Sequence, residues 1–214
     1  MVIEKIVQGG LKSNAYVVFD EKSKESVVID PAADPAIIQS FIRDRDLTVK
    51  AILVTHGHFD HIGAVDKLRK VYQCPVITGR GEAEIMPDST MNMSAYFNYC
   101  FVIADATDFV EDGDIITPAA GLTFRIIFVP GHSPDGVCYY SPENETLFSG
   151  DTLMEGRIGS TDYYAGNSYE LIENIKTRLM VLPDTTIVHP GHGDETTIGH
   201  EREHNHYSGK SMWA

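Results

Sequence analysis

The stretch "LVTHGHFDHIG" (residues 53–63) places His56, His58, Asp60 and His61 within six positions, directly after an apolar run. Side chains two residues apart in extended backbone point the same way, so His56 and His58 can share one focus just beyond a strand. Asp60 and His61 follow where the chain turns into a helix, and they can face a second focus. The stretch therefore predicts a metal site with places for two ions.

Three later positions repeat this setting. His132 lies in "VPGHSP", Asp151 in "FSGDTL" and His192 in "VHPGHGDE", each after an apolar strand pattern and next to glycine. Glycine allows the sharp turn that leaves a polar side chain at a sheet edge. Counting donors gives a set of three imidazoles, a mixed set, and one carboxylate that can bridge them: His56, His58 and His132; Asp60, His61 and His192; and Asp151.

Nitrogen and oxygen donors without thiolate suit Zn²⁺, with Fe²⁺ and Mn²⁺ as alternatives. Taken alone, His132 and His192 are more typical of loop residues, and Asp151 of a helix N-cap. Beside the H-x-H-x-D-H block they become the expected missing ligands of two divalent ions. The remaining histidines near the carboxyl terminus are expected mostly at the surface or behind the ligands: His189, His200, His204 and His206.

Composition narrows the class of protein. The 214 residues suffice for one domain with a large core, expected over 1–214, and 43% of them are hydrophobic. A net charge of −14 repels nucleic acid, and no basic patch offsets it. The amino terminus has no signal-peptide pattern, and no apolar run reaches the roughly 18 residues of a membrane span. Three widely spaced cysteines are expected as free thiols, and the expected location is cytoplasmic.

The coarse pattern mixes strands and helices in both halves. Residues 16–20 and 26–30 predict a β-hairpin, and Asp34 before Pro35 predicts the start of a helix over 34–46. Further strands are expected at 50–55, 75–78, 114–117, 122–130, 136–141, 146–150 and 185–190, and further helices at 61–72, 168–181 and 196–206. Periodicity alone indicates an α/β or α+β fold.

Four motifs add a family resemblance. "THGHFDHIG", "PGHSPDGVCYY", "GDTL" and "PGHGDETTIGHERE" resemble the metallo-β-lactamase superfamily, in its glyoxalase II-like branch of short hydrolases, over about residues 11–206. The resemblance implies a four-layer αββα sandwich with the site at one edge of the packed sheets. It also implies the same division of ligands, with His56, His58, His132 and Asp151 on one metal and Asp60, His61, His192 and Asp151 on the other.

Departures from relatives bear on the substrate. The commonest exported antibiotic hydrolases of the superfamily have cysteine where this chain has Asp151, so a β-lactam substrate is disfavoured. The basic carboxyl-terminal extension that binds glutathione in the longer glyoxalase II enzymes is not expected here. In "GDTLMEGRIGSTDYYAG" the arginine of the short relatives has moved to Arg157 and Ser160 stands at its usual place. Arg157, Ser160 and Tyr163 are the expected substrate contacts.

The leading interpretation is a binuclear hydrolase in which a metal-bridging hydroxide, oriented by Asp60, attacks thioesters that resemble hydroxyacyl-glutathione. A thiolate leaves without a dedicated acid. The alternatives are a lactone or ester hydrolase, a mononuclear iron persulfide dioxygenase and a non-catalytic binding protein. The expected partner is a small molecule, and the oligomeric state stays open.

The segment "STMNMSAYFNYCF" (89–101) is rich in bulky apolar residues without a clean period. One interpretation is a flap over the substrate, with Met93, Tyr96 and Phe97 forming a wall. The other is ordinary core packing.

Overall fold

Two six-stranded sheets form the centre of the molecule. The computed structural model describes residues 1–97 and 102–207. In the first sheet the strands follow one another in chain order, with β1, β2 and β3 antiparallel and β3 to β6 parallel. Its strands are β1 (Val2–Gln8), β2 (Ser13–Phe19), β3 (Glu25–Ile29), β4 (Thr48–Leu53), β5 (Val76–Gly79) and β6 (Asp108–Val110).

The second sheet has the order β14-β13-β10-β9-β8-β7 and is antiparallel except for the pair of β10 with β13. Its strands are β7 (Ile115–Ala119), β8 (Leu122–Phe128), β9 (Val137–Ser141), β10 (Thr146–Gly150), β13 (Ile187–Pro190) and β14 (Thr196–Thr197). A small ribbon of β11 (Leu153–Met154) and β12 (Arg157–Ile158) lies just beyond β10.

Among the described residues there are six α-helices. They are α1 (Pro35–Asp44), α2 (Phe59–Ile62), α3 (Val65–Tyr72), α4 (Arg80–Ile85), α5 (Ser168–Asn174), which continues as a π-helix over Ile175–Leu179, and α6 (Ile198–His204).

Three hydrophobic clusters show the layering. The cluster between the sheets joins residues such as Val27 and Leu53 of the first sheet to Phe124 and Tyr139 of the second. A second cluster packs α1 and α3 on the outer face of the first sheet, and a third packs α5 and α6 on the outer face of the second. Each sheet therefore buries both faces, as a helix–sheet–sheet–helix sandwich requires. The predicted αββα architecture is confirmed.

Most predicted elements appear, with boundary shifts. The 16–20 and 26–30 patterns form the antiparallel pair β2–β3, and the Asp34 carboxylate accepts the Ala36 N–H at the start of α1. The predicted helix over 61–72 is instead two helices that break at Gly63. The Ala64 N–H donates to the Pro31 carbonyl oxygen at 2.9 Å and not to the preceding turn, which ends the first helix. Gly63 has to be glycine because a Cβ there would overlap the Ala32 carbonyl oxygen.

The structure also bears on the cysteines and on the absence of a membrane span that the sequence predicts. Cys74 and Cys138 are free and buried, as expected, whereas Cys100 lies outside the described residues. Within residues 1–97 and 102–207 no helix has both the length and the apolar character that a bilayer crossing requires. The cytoplasmic location, the single-domain organisation and the absence of a nucleic-acid partner stay predictions.

Candidate metal centre

The predicted ligands all follow strand ends that meet at one edge of the sandwich. The loop after β4 carries His56 and His58, and the short α2 carries Asp60 and His61. His132 follows β8, Asp151 follows β10, and His192 follows β13. One loop of the first sheet and three of the second thus converge, which brings together residues that are up to 136 positions apart in sequence (His56 to His192).

The three-imidazole set is assembled as predicted. His56, His58 and His132 are buried, and ring nitrogens of all three lie within 4.8 Å of one another. The His132 Nδ1–H donates a hydrogen bond to the Ser160 carbonyl oxygen, at 2.6 Å. This bond fixes the tautomer and turns the Nε2 lone pair toward the other two rings.

The mixed set is assembled too. Donor atoms of Asp60, His61 and His192 lie within 4.8 Å of one another, with His192 Nε2 3.2 Å from Asp60 Oδ2. Gly191 allows the His192 loop to lie this close to Asp151 and His61, because a Cβ there would overlap the Asp151 carboxylate and crowd the His61 ring. Its requirement for glycine follows from contact distance and not from a special backbone angle.

Asp151 lies between the sets. Its Oδ1 is 3.5 Å from His61 Nε2, while its Oδ2 is 3.5 Å from His192 Nε2 and 4.0 Å from His132 Nε2. One carboxylate therefore reaches members of both sets, which is the geometry that a bridging ligand needs. The bridging assignment itself stays a prediction.

Unpartnered polar atoms test whether these residues suit a metal. Among the described residues, five buried atoms at this edge make no hydrogen bond: the Nε2 atoms of His56, His58, His61 and His132, and Oδ1 of Asp151. Buried polar atoms without partners are costly and uncommon in native structures. All five belong to the predicted ligands. Imidazole nitrogen together with carboxylate oxygen is a donor set suited to Zn²⁺, Fe²⁺ or Mn²⁺. The residues fit divalent metal ions.

The two sets differ in their protonation. Burial, reinforced by neighbouring imidazoles, lowers the pKa of His58 to about 3 and that of His56 well below its usual value. Burial also lowers the pKa of His132. These three rings are therefore neutral near pH 7, the form in which imidazole binds a metal.

In the mixed set the neighbouring carboxylates raise the pKa of the histidines instead of leaving it lowered by burial. Burial lowers the pKa of His61, but Asp60 and Asp151 raise it to about 10, and the bond to Asp60 helps to raise that of His192. Burial would raise the pKa of Asp60, but the imidazoles of His61 and His192 and the Ser13 hydroxyl together hold it well below its usual range. Asp60 is therefore ionised and can balance the charge of a bound cation.

A buried carboxylate behind the ligands was not predicted from the sequence. Asp30 accepts the Thr55 N–H at 2.7 Å and the Thr55 hydroxyl at 2.6 Å, and its Oδ2 lies 3.2 Å from His61 Nδ1. The Thr55 oxygen in turn lies 3.1 Å from His56 Nδ1. This series of hydrogen bonds from Asp30 through Thr55 orients one imidazole from each set. Its only signal in the sequence is the acid that ends the strand pattern "SVVID".

Asp30→Asn tests this orienting role. An amide in place of the carboxylate weakens the bond to His61 Nδ1 and disturbs Thr55, so we expect metal affinity to fall about 10–100-fold. Competition with a chelator measures the affinity, and circular dichroism checks the fold. Asp44→Asn at the exposed end of α1 is the control and is expected to bind metal as the wild type does. An unchanged affinity in Asp30→Asn would contradict the role.

A second buried carboxylate fastens two ligand loops together. Glu82, in α4, is fully buried. Its Oε2 accepts the N–H of Gly57, between His56 and His58, at 2.9 Å. Its Oε1 accepts the Ser133 hydroxyl at 2.6 Å and the backbone N–H groups of residues 135 and 136 at 2.9 and 3.0 Å, just after His132. Burial raises the pKa of the Glu82 carboxyl, and the four donors oppose that rise.

Glu82→Gln tests this fastening. The amide NH₂ must face one of the donor groups, so we expect the free energy of unfolding to fall by about 1–3 kcal/mol. We also expect weaker metal binding, because the His56–His58 loop loses its attachment to the His132 loop. Denaturant titration of the metal-free protein and chelator competition measure the two effects. Glu84→Gln, at an exposed position of the same helix, should change neither. If Glu82→Gln alters stability alone, the carboxylate does not position the ligands.

A cavity of about 770 Å³ opens over the ligands. His58, Asp60, His132, Asp151 and His192 line it, together with all three predicted substrate contacts, Arg157, Ser160 and Tyr163. The Tyr163 ring lies edge-on to the His58 ring, with centroids 5.7 Å apart. The Ser160 carbonyl holds His132, and its hydroxyl donates to Asp162 at 3.2 Å. Their contact with substrate stays a prediction.

The described part of the segment 89–101, residues 89–97, borders this cavity. Met93 and Phe97 line it, and the Phe97 ring lies 5.1 Å from that of Phe59. Tyr96 does not belong to this wall; it is exposed and lines a smaller neighbouring cavity. Residues 98–101 lie outside the described residues. The wall is therefore present for two of the three predicted side chains, and movement of the segment as a flap stays a prediction.

The carboxyl-terminal histidines divide into two groups. His200, His204 and His206 are exposed, as expected. His189 is buried: its ring stacks on Phe148 at 5.1 Å and its Nδ1 lies 3.1 Å from Glu195. The pattern "TTIVHP" could not reveal this, because the covering rings come from other strands.

Comparison with known proteins agrees with this geometry. The profile of the metallo-β-lactamase superfamily matches residues 8–192. The hydroxyacylglutathione hydrolase GloC of Haemophilus influenzae is 32% identical over 207 residues, covering 96% of this chain and 97% of GloC.

Two solved structures are similar over nearly their whole length. The B3 metallo-β-lactamase BLEG-1 has a TM-score of 0.91 at 36% identity, covering 95% of this chain and 98% of that one. TTHA1623, crystallised in a di-iron-bound form, has a TM-score of 0.82 at 33% identity, covering 94% and 98%.

A two-sheet sandwich with a histidine and aspartate cluster at one edge defines a class of metal-dependent hydrolases. This chain belongs to the metallo-β-lactamase superfamily, and it has the metal-binding cluster that this class uses. The sequence resemblance is thereby confirmed at the level of the family.

Proposed function

We propose that this chain is a binuclear metal-dependent hydrolase of thioesters that resemble hydroxyacyl-glutathione. The observation that carries the proposal is the convergence of unpartnered buried imidazole nitrogens and of Asp151 on one wall of an open cavity. Similarity to the hydroxyacylglutathione hydrolase GloC over nearly the full length of both chains supports the thioester class.

In this proposal two divalent ions occupy the centre, with Zn²⁺ favoured and Fe²⁺ and Mn²⁺ as alternatives. The three-imidazole set would hold one ion and the mixed set the other, and Asp151 lies close enough to members of both sets to serve either ion. The iron in TTHA1623 supports keeping iron among the metals to be tested. Bound there, such ions supply a nucleophilic hydroxide near neutral pH and an electrophile for the developing acyl oxyanion.

Asp60 orients the nucleophile. Its Oδ2 accepts the Ser13 hydroxyl at 2.9 Å and lies 3.2 Å from His192 Nε2, so the carboxylate is held at the floor of the cavity. Because its pKa is far below the usual range, the group is ionised and can accept a hydrogen bond from an attacking water.

The leaving group explains why no acid is needed. A thiol has a pKa of about 8.5, so a thiolate can depart near neutral pH without a proton from the protein. The Tyr163 side chain and the Arg157 guanidinium, both at the cavity, are then free to bind the substrate.

β-Lactam hydrolysis is the second candidate, because the similar structure of BLEG-1 is that of a B3 metallo-β-lactamase. The lactone or ester hydrolase and the persulfide dioxygenase remain alternatives to be tested beside it. The ligands of this chain do not by themselves select one of these four reactions, so the reaction and the metal content are what distinguish them.

The test combines metal analysis with a substrate panel. Protein loaded with Zn²⁺, Mn²⁺ or Fe²⁺ is assayed on a hydroxyacyl-glutathione thioester, an N-acetylcysteamine thioester, a lactone, a cephalosporin and glutathione persulfide with oxygen uptake recorded. We expect about two metal equivalents and the highest kcat/KM on a thioester. Metal-free protein serves as the control for contaminating hydrolases. A preference for the lactone or the cephalosporin contradicts the thioesterase, and oxygen uptake with one iron per chain replaces it by the dioxygenase.

A further inference from the structure

Three cations from separate segments line one side of the cavity. They are Lys5 in β1, Lys12 in the β1–β2 turn and Arg157 in β12. None of them is a metal ligand. The ligand loop His192–Asp194 lies beside all three.

Two of the cations are placed by contacts with that loop. Lys5 Nζ lies 3.7 Å from Asp194 Oδ1. Arg157 Nη2 lies 3.8 Å from the position that a Cβ on Gly193 would take, so the guanidinium lies over the glycine next to His192. In the described ranges Arg157 forms no ion pair with Glu155 or Asp162, and the Asp162 carboxylate is bonded to Ser160 instead.

The third cation is placed by its neighbours in sequence. The Leu11 carbonyl oxygen lies 3.2 Å from His192 Nδ1, and the Ser13 hydroxyl donates to Asp60 at 2.9 Å. The residue between them is Lys12, which is exposed and lines the cavity. The turn that supports the mixed ligand set therefore also holds this cation at its edge.

Charge on this side is unusual for the molecule. The chain has a net charge of −14, so an anionic ligand is repelled at long range. The acids that line the cavity are Asp60 and Asp151, which face the metal ions, and Asp194, which is paired with Lys5 and 88% exposed. With metals bound, this edge is locally positive. Apolar side chains also line the cavity, among them Phe59, Met93 and Phe97.

We propose that Lys5, Lys12 and Arg157 form an anion subsite at the His192 edge of the cavity, and that this subsite binds carboxylates on the thiol part of a thioester substrate. The acyl part then lies over the metal centre. The proposal rests on the thioesterase function proposed above, and it assigns the residues that select the substrate.

Binding and turnover are measured separately. Metal-loaded wild type, Lys5→Gln/Lys12→Gln and Arg157→Gln are titrated by calorimetry with S-methylglutathione, a thioether that the enzyme cannot hydrolyse. The same proteins are assayed on a glutathione thioester, a coenzyme A thioester and the neutral N-acetylcysteamine thioester. The control is Lys50→Gln/Lys70→Gln, which removes the same total charge from β4 and α3, away from the cavity.

We expect the double variant to bind S-methylglutathione about tenfold more weakly. We also expect the ratio of kcat/KM for the glutathione thioester to that for the neutral one to fall by about the same factor, through KM. The control should keep both values, and Lys5→Arg/Lys12→Arg should restore them. Added salt should weaken the wild type more than the double variant, because screening removes charge attraction.

Equal binding in the double variant and the wild type, or an equal loss on neutral and anionic thioesters, overturns the subsite. A larger loss on the coenzyme A thioester than on the glutathione thioester overturns the assignment to carboxylates in favour of phosphates. If no thioester is hydrolysed but S-methylglutathione binding still depends on Lys5 and Lys12, the thioesterase function fails while the subsite stands. If thioesters are hydrolysed with unchanged selectivity, the function stands and the subsite fails.

Discussion

Asp151→Ala is expected to reduce bound metal from two equivalents to at most one and to lower kcat/KM at least about a thousandfold. The carboxylate lies 3.5 Å from nitrogens of His61 and His192 and 4.0 Å from His132, so its removal takes a donor from both sets at once. It also leaves the raised pKa of His61 without one of its two main causes, so this imidazole holds its proton less firmly.

Elemental analysis after gel filtration and a thioesterase assay measure these effects. Asp44→Ala removes an exposed carboxylate from the end of α1 and should retain full metal content and activity. Denaturant titration separates metal loss from unfolding. Two tightly held equivalents in Asp151→Ala would show that Asp151 is not a ligand.

Asp60→Asn is expected to lower kcat about 10²–10⁴-fold while the protein stays folded. The amide keeps an oxygen near the second focus and can still accept the Ser13 hydroxyl, but it removes the negative charge that faces His61 and His192. A neutral amide is a weak hydrogen-bond acceptor for an attacking water. The loss should therefore appear in turnover more than in the free energy of unfolding.

Ser13→Ala is the matched variant for Asp60. It removes one hydrogen bond to the carboxylate and leaves the charge, so its kcat should fall far less than that of Asp60→Asn. Steady-state kinetics at saturating metal and denaturant titration give the two quantities. If Asp60→Asn loses only metal affinity, and saturating metal restores its kcat, Asp60 is a ligand without a role in orienting the nucleophile.

The sequence pattern was sufficient to predict a feature where a side chain interacts with residues close to it in sequence. The Asp34–Pro35 pair predicts the start of α1, because an N-cap bonds an amide two residues away. The β2–β3 hairpin follows from two apolar runs across a short polar turn. The H-x-H-x-D-H block predicts two foci, because its spacing alone decides which side chains can point together. These features involve few residues, and their energies depend little on the rest of the chain.

The features that the sequence did not predict mostly involve residues far apart along the chain. The helix predicted over 168–181 changes to a π-helix at Ile175. The one over 61–72 is interrupted where the Ala64 N–H donates to the Pro31 carbonyl oxygen instead of to the preceding turn. Glu82 carries no signal in the sequence, because an acid in a short helix is ordinarily exposed. Its four donors come from loops around residues 57 and 133–136, which only the folded chain brings to it.

The sequence by itself determined the identity of the candidate ligands, their division into two sets and the family, because donor chemistry and spacing are local properties. Only the tertiary structure decided the distances from Asp151 to the two sets, the attachment of the ligand loops to Asp30 and Glu82, and the position of Lys5 and Lys12 beside Arg157 at the cavity. These relations join strands of different sheets and turns more than a hundred residues apart (Lys5 to Arg157). They depend on how two sheets pack, and that packing is set by the summed burial of many apolar side chains instead of by any single motif.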